Sequence, residues 1–141
     1  MRMPDVNVLV NAHRVEDPQH ERYARWVTEL ATGLEPFALS ESVLHGFVSV
    51  VTNPRVFNPP STMADAFEFL DSLLSHPRCH LMRPGPRHWS IFRSLCETKK
   101  IHGNLVSNAG HSALAIESGC EWVTADTDYA RFAPPLRWTL L

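Results

Sequence analysis

Four acids and one carboxamide stand where short apolar runs give way to polar turns, and these are the side chains of the sequence best suited to chemistry. Asp5 lies in "MPDVNVLV", Glu41 in "PFALSES", Asn108 in "NLVSNAGHSALA", and Asp126 and Asp128 in "TADTDYARF". Taken singly, each has an ordinary explanation. Asp5 suits the cap of a turn after a very short strand, and Glu41 in a first helical turn complements the helix dipole. Asp126 and Asp128 are common turn residues, and Asn108 offers a side-chain oxygen to cap the helix that follows. Taken together they read differently. Acids converging on one crevice repel, at about 4 kcal/mol for charges ~4 Å apart in an effective dielectric near 20. A fold tolerates this when the carboxylates titrate or a cation neutralises them. Magnesium suits such a place, because it takes hard oxygen ligands, keeps several waters and works beside phosphates.

The elements that must position these residues follow from hydrophobic spacing. "HERYARWVTELAT", residues 20–32, carries Tyr23, Trp26, Val27, Leu30 and Ala31 at helical intervals. "ESVLHGFVSVVTN" repeats the pattern and stops at Asn53-Pro54. Met63, Phe67, Leu70 and Leu74 mark a third helix capped by Ser61 or Thr62. "WSIFRSLC" supplies a fourth and "AGHSALAIES" a fifth, closed by Gly119. Between them lie the short apolar runs "PFAL", "CHLM", "EWVT" and "RWTLL", while "NPRVFNPP" reads as a turn. Short strands alternating with helices predict a single α/β domain over residues 1–141, a three-layer α/β/α sandwich on a mainly parallel sheet. In such sheets function gathers at the carboxyl ends of strands, where the acids fall.

Composition narrows the classes. Of 141 residues, 44% are hydrophobic and 20% charged, which suits a packed soluble domain rather than a disordered chain. No apolar run approaches the roughly 18 residues needed to cross a bilayer, and the N-terminal run is too short for a signal peptide. Cys79, Cys96 and Cys120 are scattered without a C-x-x-C pair, which favours reduced thiols in a cytoplasmic protein. A net charge of −2 excludes a broad, non-specific grip on nucleic acid, though not a small site whose positive charge comes from a cation. There is no Gly-rich phosphate loop, since the first glycine is Gly33. A phosphatase with a second acid two residues after the first is excluded by Asn7.

The stretches "PDVNVLV", "LSESVLHGFVSVVTNPRVF", "GNLVSNAGHSALAIESG" and "EWVTADTDYARF", followed by "LRW", span almost the whole chain. In this order they resemble the PIN-domain ribonucleases, specifically the VapC-type toxins of type II toxin–antitoxin pairs. The resemblance implies a PIN-domain fold whose first strand ends at Asp5, with "VNVLVNAH" turning into a helix. It implies a magnesium-dependent endoribonuclease, manganese serving as a substitute. Asp5 would be the first acid, Glu41 the second and Asp126 the fourth, assisted by Asp128. Asp5, Asp126 and the residue at 108 would hold the ion. Water activated at the cation would cut single-stranded or loop RNA, with tRNA the usual class, leaving 5′-phosphate and 3′-hydroxyl ends. The third acid of the family aligns with Asn108, so activity is expected to be impaired. The alternative expectation is an inactive PIN-fold module that binds RNA or an antitoxin. By the same resemblance the partners are a VapB-type antitoxin and a second copy of the chain.

Around this set, Asn7 matches a small polar residue that hydrogen-bonds near the site in the family, against the plainer reading of turn polarity. The hydroxyl of Thr124 would hold Asp126 in place, against that of a β-branched strand residue. Arg14 and the "TKKIHGN" loop, with Lys99, Lys100 and His102, are candidates for RNA phosphate contacts. A solvated charged loop is the competing account. His111, with no ligand-spaced partner, reads as a helix residue.

Overall fold

The computed structural model describes residues Met1–Leu141. Five strands form one sheet: β1 (Arg2–Pro4), β2 (Phe37–Ser40), β3 (Cys79–Met82), β4 (Glu121–Thr124) and β5 (Trp138–Leu140). Their order is β3-β2-β1-β4-β5, and every pairing is parallel. Six α-helices connect them: α1 (Val6–His13), α2 (His20–Thr32), α3 (Glu41–Val51), α4 (Met63–Leu74), α5 (His88–Thr98) and α6 (Leu105–Ser118). A 3-10 turn, Thr127–Phe132, joins β4 to β5. Helices α1 to α4 pack against one another and α5 packs against α6. With the strand order reversing at β1, crossovers of the usual right hand put the two groups on opposite faces of the sheet, which gives the three layers. No helix is long and apolar enough to cross a membrane.

The strand order locates the site. From β1 the chain moves outward to β2 and β3, then crosses back to β4 and β5 on the other side of β1. The reversal falls between β1 and β4, and the crevice at the carboxyl ends of those two strands is the natural binding place of an open parallel sheet. Asp5 ends β1 and Asp126 follows β4, so both acids flank the reversal.

Local structure follows the expected signals with two shifts. Asp5 ends the short first strand and caps α1, its side chain accepting from Val6 N. The β-branched "VNV" run then goes helical because Val8, Leu9, Val10 and Ala12 are all buried there, so packing overrides the weak strand preference. Thr62, not Ser61, caps α4, and Gly119 closes α6 in the left-handed region at φ 67°. The first shift is α5, which extends beyond its apolar core segment to His88–Thr98. The second matters more: α6 begins at Leu105, not at Ala109. The left-handed backbone at Lys100 and Gly103, with φ of 54° and 61°, turns the chain before Asn104. "NLV" therefore enters the helix, and it is not a strand end.

Candidate active site: an acid pair and an amide at the sheet reversal

Asn108 is consequently the fourth residue of α6 and not its cap; Asn104 occupies that position, without a capping side-chain bond. From inside the helix Asn108 Nδ2 donates to Asp126 Oδ2 at 3.1 Å. The expected capping alternative is thereby corrected: the amide faces the acid at the end of β4 rather than its own first-turn amides.

Asp5 is the most enclosed of the acids, at 6% exposure. Its Oδ1 accepts from Val6 N at 2.7 Å. Its Oδ2 accepts from Thr124 Oγ1 at 2.6 Å and from Asn7 Nδ2 at 3.1 Å. Burial nonetheless raises its pKa above the usual carboxylate value; the Thr124 hydrogen bond and His111 oppose the rise, and the nearby Asp126 charge adds to it. Thr124 Oγ1 also accepts from Asp126 N at 3.0 Å, and Asn7 Oδ1 accepts from Ala125 N at 3.0 Å. Asn7 and Thr124 thus tie the end of β1 to the end of β4, fixing both acids with one small network. Asp126 in turn caps the 3-10 turn, its Oδ1 accepting from Asp128 N at 2.9 Å.

The other expected site residues lie elsewhere. Glu41 is the first residue of α3, outside the walls of the cleft. Its carboxylate is held by Arg83, whose Nε and Nη2 donate at 2.9 and 3.1 Å, and this hydrogen-bonded partner lowers its pKa. The pair is open to solvent, 63% and 40% exposed, so water screens it and it opens readily. Asp128 is exposed at the start of the 3-10 turn and contributes no side chain to the cleft walls. Lys99 donates to Pro134 O at 3.0 Å, while Lys100 and His102 are exposed in the loop before α6. Arg14 is folded against the chain: it bonds Ser61 Oγ, Pro59 O and Glu16.

The cleft measures about 430 Å³. Asp5, Asn7, Asn108 and Asp126 are among its polar lining, and Val50, Val56 and Phe57 among its apolar lining. Two residues that sequence reasoning left aside also line it. His111, one helical turn after Asn108, stacks on Trp122 with ring centres 5.3 Å apart, and its Nδ1 lies 3.4 Å from Ser42 Oγ. Burial lowers its pKa against the pull of Asp5. Tyr129 is buried, and burial together with the Asp5 and Asp126 charges pushes its phenol pKa upward, so it remains an O–H donor beside the acids. The three-residue spacing from Asn108 to His111 was the available signal for the first; nothing local marked the second.

The donor set suits a hard cation. Two carboxylates and the Oδ1 of Asn108 are oxygens, and burial is the main reason the Asp5 pKa is raised, with the Asp126 charge a smaller contribution that a divalent ion would offset. The fit is weaker than with three acids, because no group of three or more His, Cys, Asp or Glu side chains converges here.

An all-parallel sheet with an acid pair at its reversal is the arrangement of a PIN domain, and the PIN domain model matches residues 2–134. The chain belongs to the PIN-domain family, in its VapC branch. It is 44% identical over 134 residues to "VapC ribonuclease Mb2897" of Mycobacterium bovis, covering 95% of this chain and 90% of that one. It is 38% identical to "Ribonuclease VapC25" of Mycobacterium tuberculosis, covering 94% of each. Among solved structures, VapBC2 from Rickettsia felis bound to a promoter DNA fragment superposes with a TM-score of 0.70. That match is 20% identical and covers 99% of this chain and 97% of that one, a likeness of fold.

Proposed function

We propose that the chain is a metal-dependent endoribonuclease, the toxin of a toxin–antitoxin pair, with activity reduced by the amide at position 108. The observation that carries this reading is the convergence of Asp5 and Asp126 at the sheet reversal, with Asn108 bonded to Asp126 from α6. The ribonuclease names of relatives sharing 44% and 38% of their residues support it.

Magnesium, when bound, would supply positive charge that polarises water and offsets charge on a phosphodiester. Asp5, Asp126 and the carbonyl of Asn108 would hold it. Within the chain, Thr124 and Asn7 keep the Asp5 carboxylate oriented, and the Tyr129 hydroxyl and the His111 ring border the same space. Asn108 supplies an oxygen but neither a negative charge nor a site for a proton. Glu41 would join the acids by leaving Arg83, an exposed pair that costs little to open.

The substrate proposed is single-stranded or loop RNA, tRNA among the candidates, and the partners are a VapB-type antitoxin and a second copy of the chain in the cytoplasm. Solved relatives in complexes with VapB proteins support the antitoxin partner. A second reading, a non-enzymatic module that binds RNA or antitoxin, draws on the absence of a third converging acid. A cleavage assay on total RNA with end mapping, run across a magnesium titration, separates them. Magnesium-dependent cuts bearing 5′-phosphates support the enzyme; intact RNA at every magnesium level supports the module.

A further inference from the structure

Part of the apolar lining of the cleft that holds the acids has its own construction. Val56 and Phe57 belong to the "NPRVF" turn between α3 and α4, and the turn is pinned from several directions. Val56 N and Phe57 N donate to Asn53 O at 3.0 and 3.1 Å, and Ser61 N donates to Val51 O at 2.8 Å. Arg14 completes the hold. Its guanidinium lies 4.3 Å from the centre of the Phe57 ring, Nη2 donates to Pro59 O at 2.9 Å, and Nη1 donates to Ser61 Oγ at 2.9 Å. The Arg14 side chain is only 11% exposed, so it is spent on this loop and cannot track a phosphate backbone.

An apolar wall so fixed, with Val56 53% exposed, needs a reason to stay open. One turn after Asn7 on α1, Asn11 lines the same cleft with a carboxamide that makes no hydrogen bond within the chain. Phe57 is half-buried, packed against the core and covered over its ring by Arg14, so what it and the exposed Val56 offer the cleft is the remaining part of the ring and the valine. A free carboxamide offers a donor and an acceptor to a planar edge. Unstacked bases of single-stranded RNA are held in this way, by their faces on aromatic side chains and by hydrogen bonds at their edges. A cleft of about 430 Å³ has room for a base beside a phosphodiester.

Building on the proposed ribonuclease reading, we propose that this wall is the base-recognition subsite. One unstacked nucleobase next to the scissile phosphodiester lies against Phe57 and Val56 with its edge at Asn11. Arg14 is a positioning residue that acts through Phe57.

The test is binding of a fluorescent single-stranded RNA oligonucleotide, followed by anisotropy in magnesium and in EDTA, with an abasic nucleotide moved through each position. For the parent protein, one abasic position should weaken binding about tenfold, the scale of one lost base–aromatic stack. Phe57→Ala should weaken binding by a similar factor and become insensitive to that position, and Phe57→Trp should restore both. Asn11→Asp should change which base is preferred there, since a carboxylate only accepts. Arg14→Met should blunt the abasic effect, and Arg14→Lys should restore part of it, a pattern that a purely structural role would not give. If the parent binds RNA but Phe57→Ala binds equally well, or the abasic scan is flat, the subsite is refuted while the ribonuclease reading stands. If Phe57→Ala weakens only antitoxin binding, the wall is an antitoxin contact and the inference is overturned. If the parent binds no single-stranded RNA in either buffer, the proposed function falls and the subsite with it.

Discussion

Asn108→Asp is the substitution with the most to decide, because its two effects have opposite signs. In the folded chain Nδ2 of Asn108 sits 3.1 Å from Asp126 Oδ2 and donates to it. Aspartate replaces that donor with a carboxylate oxygen at a similar distance. Two unit charges so placed repel by about 5 kcal/mol at an effective dielectric near 20. Both residues are half-buried, so water screens the pair and the side chains rotate apart, leaving a net loss of about 2 kcal/mol. For a domain of this size that is a fall of roughly 5–10 °C in melting temperature without divalent ions. Magnesium should reverse the order. Three carboxylates bind the ion more tightly than two and an amide, and a ligand at 100 times its Kd adds about 2.7 kcal/mol of stability. The assay is a pair of melting curves, parent and variant, in EDTA and in millimolar magnesium, with cleavage of RNA measured beside them. The variant should be the less stable protein in EDTA and should gain the larger increment from magnesium. Its cleavage should be faster by two to three orders of magnitude, about the scale for one key electrostatic group. In cells it should arrest growth unless an antitoxin is co-expressed. A variant that melts with the parent in both buffers and stays inert would refute the reasoning: position 108 would then have no electrostatic part in the site.

Glu41→Gln should remove magnesium-dependent cleavage and leave the melting temperature essentially unchanged, because the Arg83 pair it breaks is exposed; undiminished cleavage would make Glu41 a helix-dipole residue only. Thr124→Val keeps the shape of a fully buried side chain but takes a donor from Asp5 and an acceptor from Asp126 N. It should cost about 1–3 kcal/mol in urea unfolding and reduce cleavage as well. His13 lies between Phe47 and Phe69 with Nε2 2.8 Å from Ser61 Oγ, and burial first, then Arg14, holds its pKa below the ordinary 6.5. The folded state therefore prefers neutral His13, and the associated stability is present above pH ~6.5 and lost as pH falls toward the folded value. His13→Gln should flatten the decline in urea midpoint between pH 7 and 5, and His111, shifted the same way, should keep part of it.

How far the fold could be read ahead depends on where each signal resides. Helices α2 and α3 bury the face that their periodicity marks, Val43, Leu44, Phe47 and Val51 being the buried stripe of α3. α4 forms where expected, but its buried face is Ala66, Leu70 and Leu73, and Met63 and Phe67 of the expected stripe are exposed. Strands β2 and β4 are nearly all buried and appear as plain apolar runs. α1 gave no such pattern, because an eight-residue helix with Val8, Leu9 and Val10 all inside looks like a strand in one dimension. There the family resemblance, not the periodicity, supplied the helix. The start of α6 failed for a different reason. Asn104 makes no capping bond, and the turn before it is set by left-handed backbone at Lys100 and Gly103. Gly103 is an ordinary mark of such a turn; Lys100 is not.

At the site, residue types were legible and their compensation was not. The expectation that grouped acids need a cation rests on sound electrostatics, yet three of the four acids, all but Asp128, also have a partner of their own within the chain. Thr124, Asn7 and Val6 N serve Asp5, the Asn108 amide serves Asp126, and Arg83 serves Glu41. Of these, Arg83 and Thr124 are far from their partners in sequence, so no motif announces them. The Arg14–Phe57 clasp is hidden in the same way: an arginine after the first acid motif invites a phosphate, and only the fold shows that it backs an aromatic wall. The amide is the one partner that the sequence placed in view, and its effect is local. It supplies to Asp126 a hydrogen-bond donor where the resemblance implies a charge, and on the proposed reading this compensates the acid pair internally and weakens its claim on a metal. An aspartate there removes that internal donor, and the same crevice, unchanged in fold, would then have to draw its compensation from an ion.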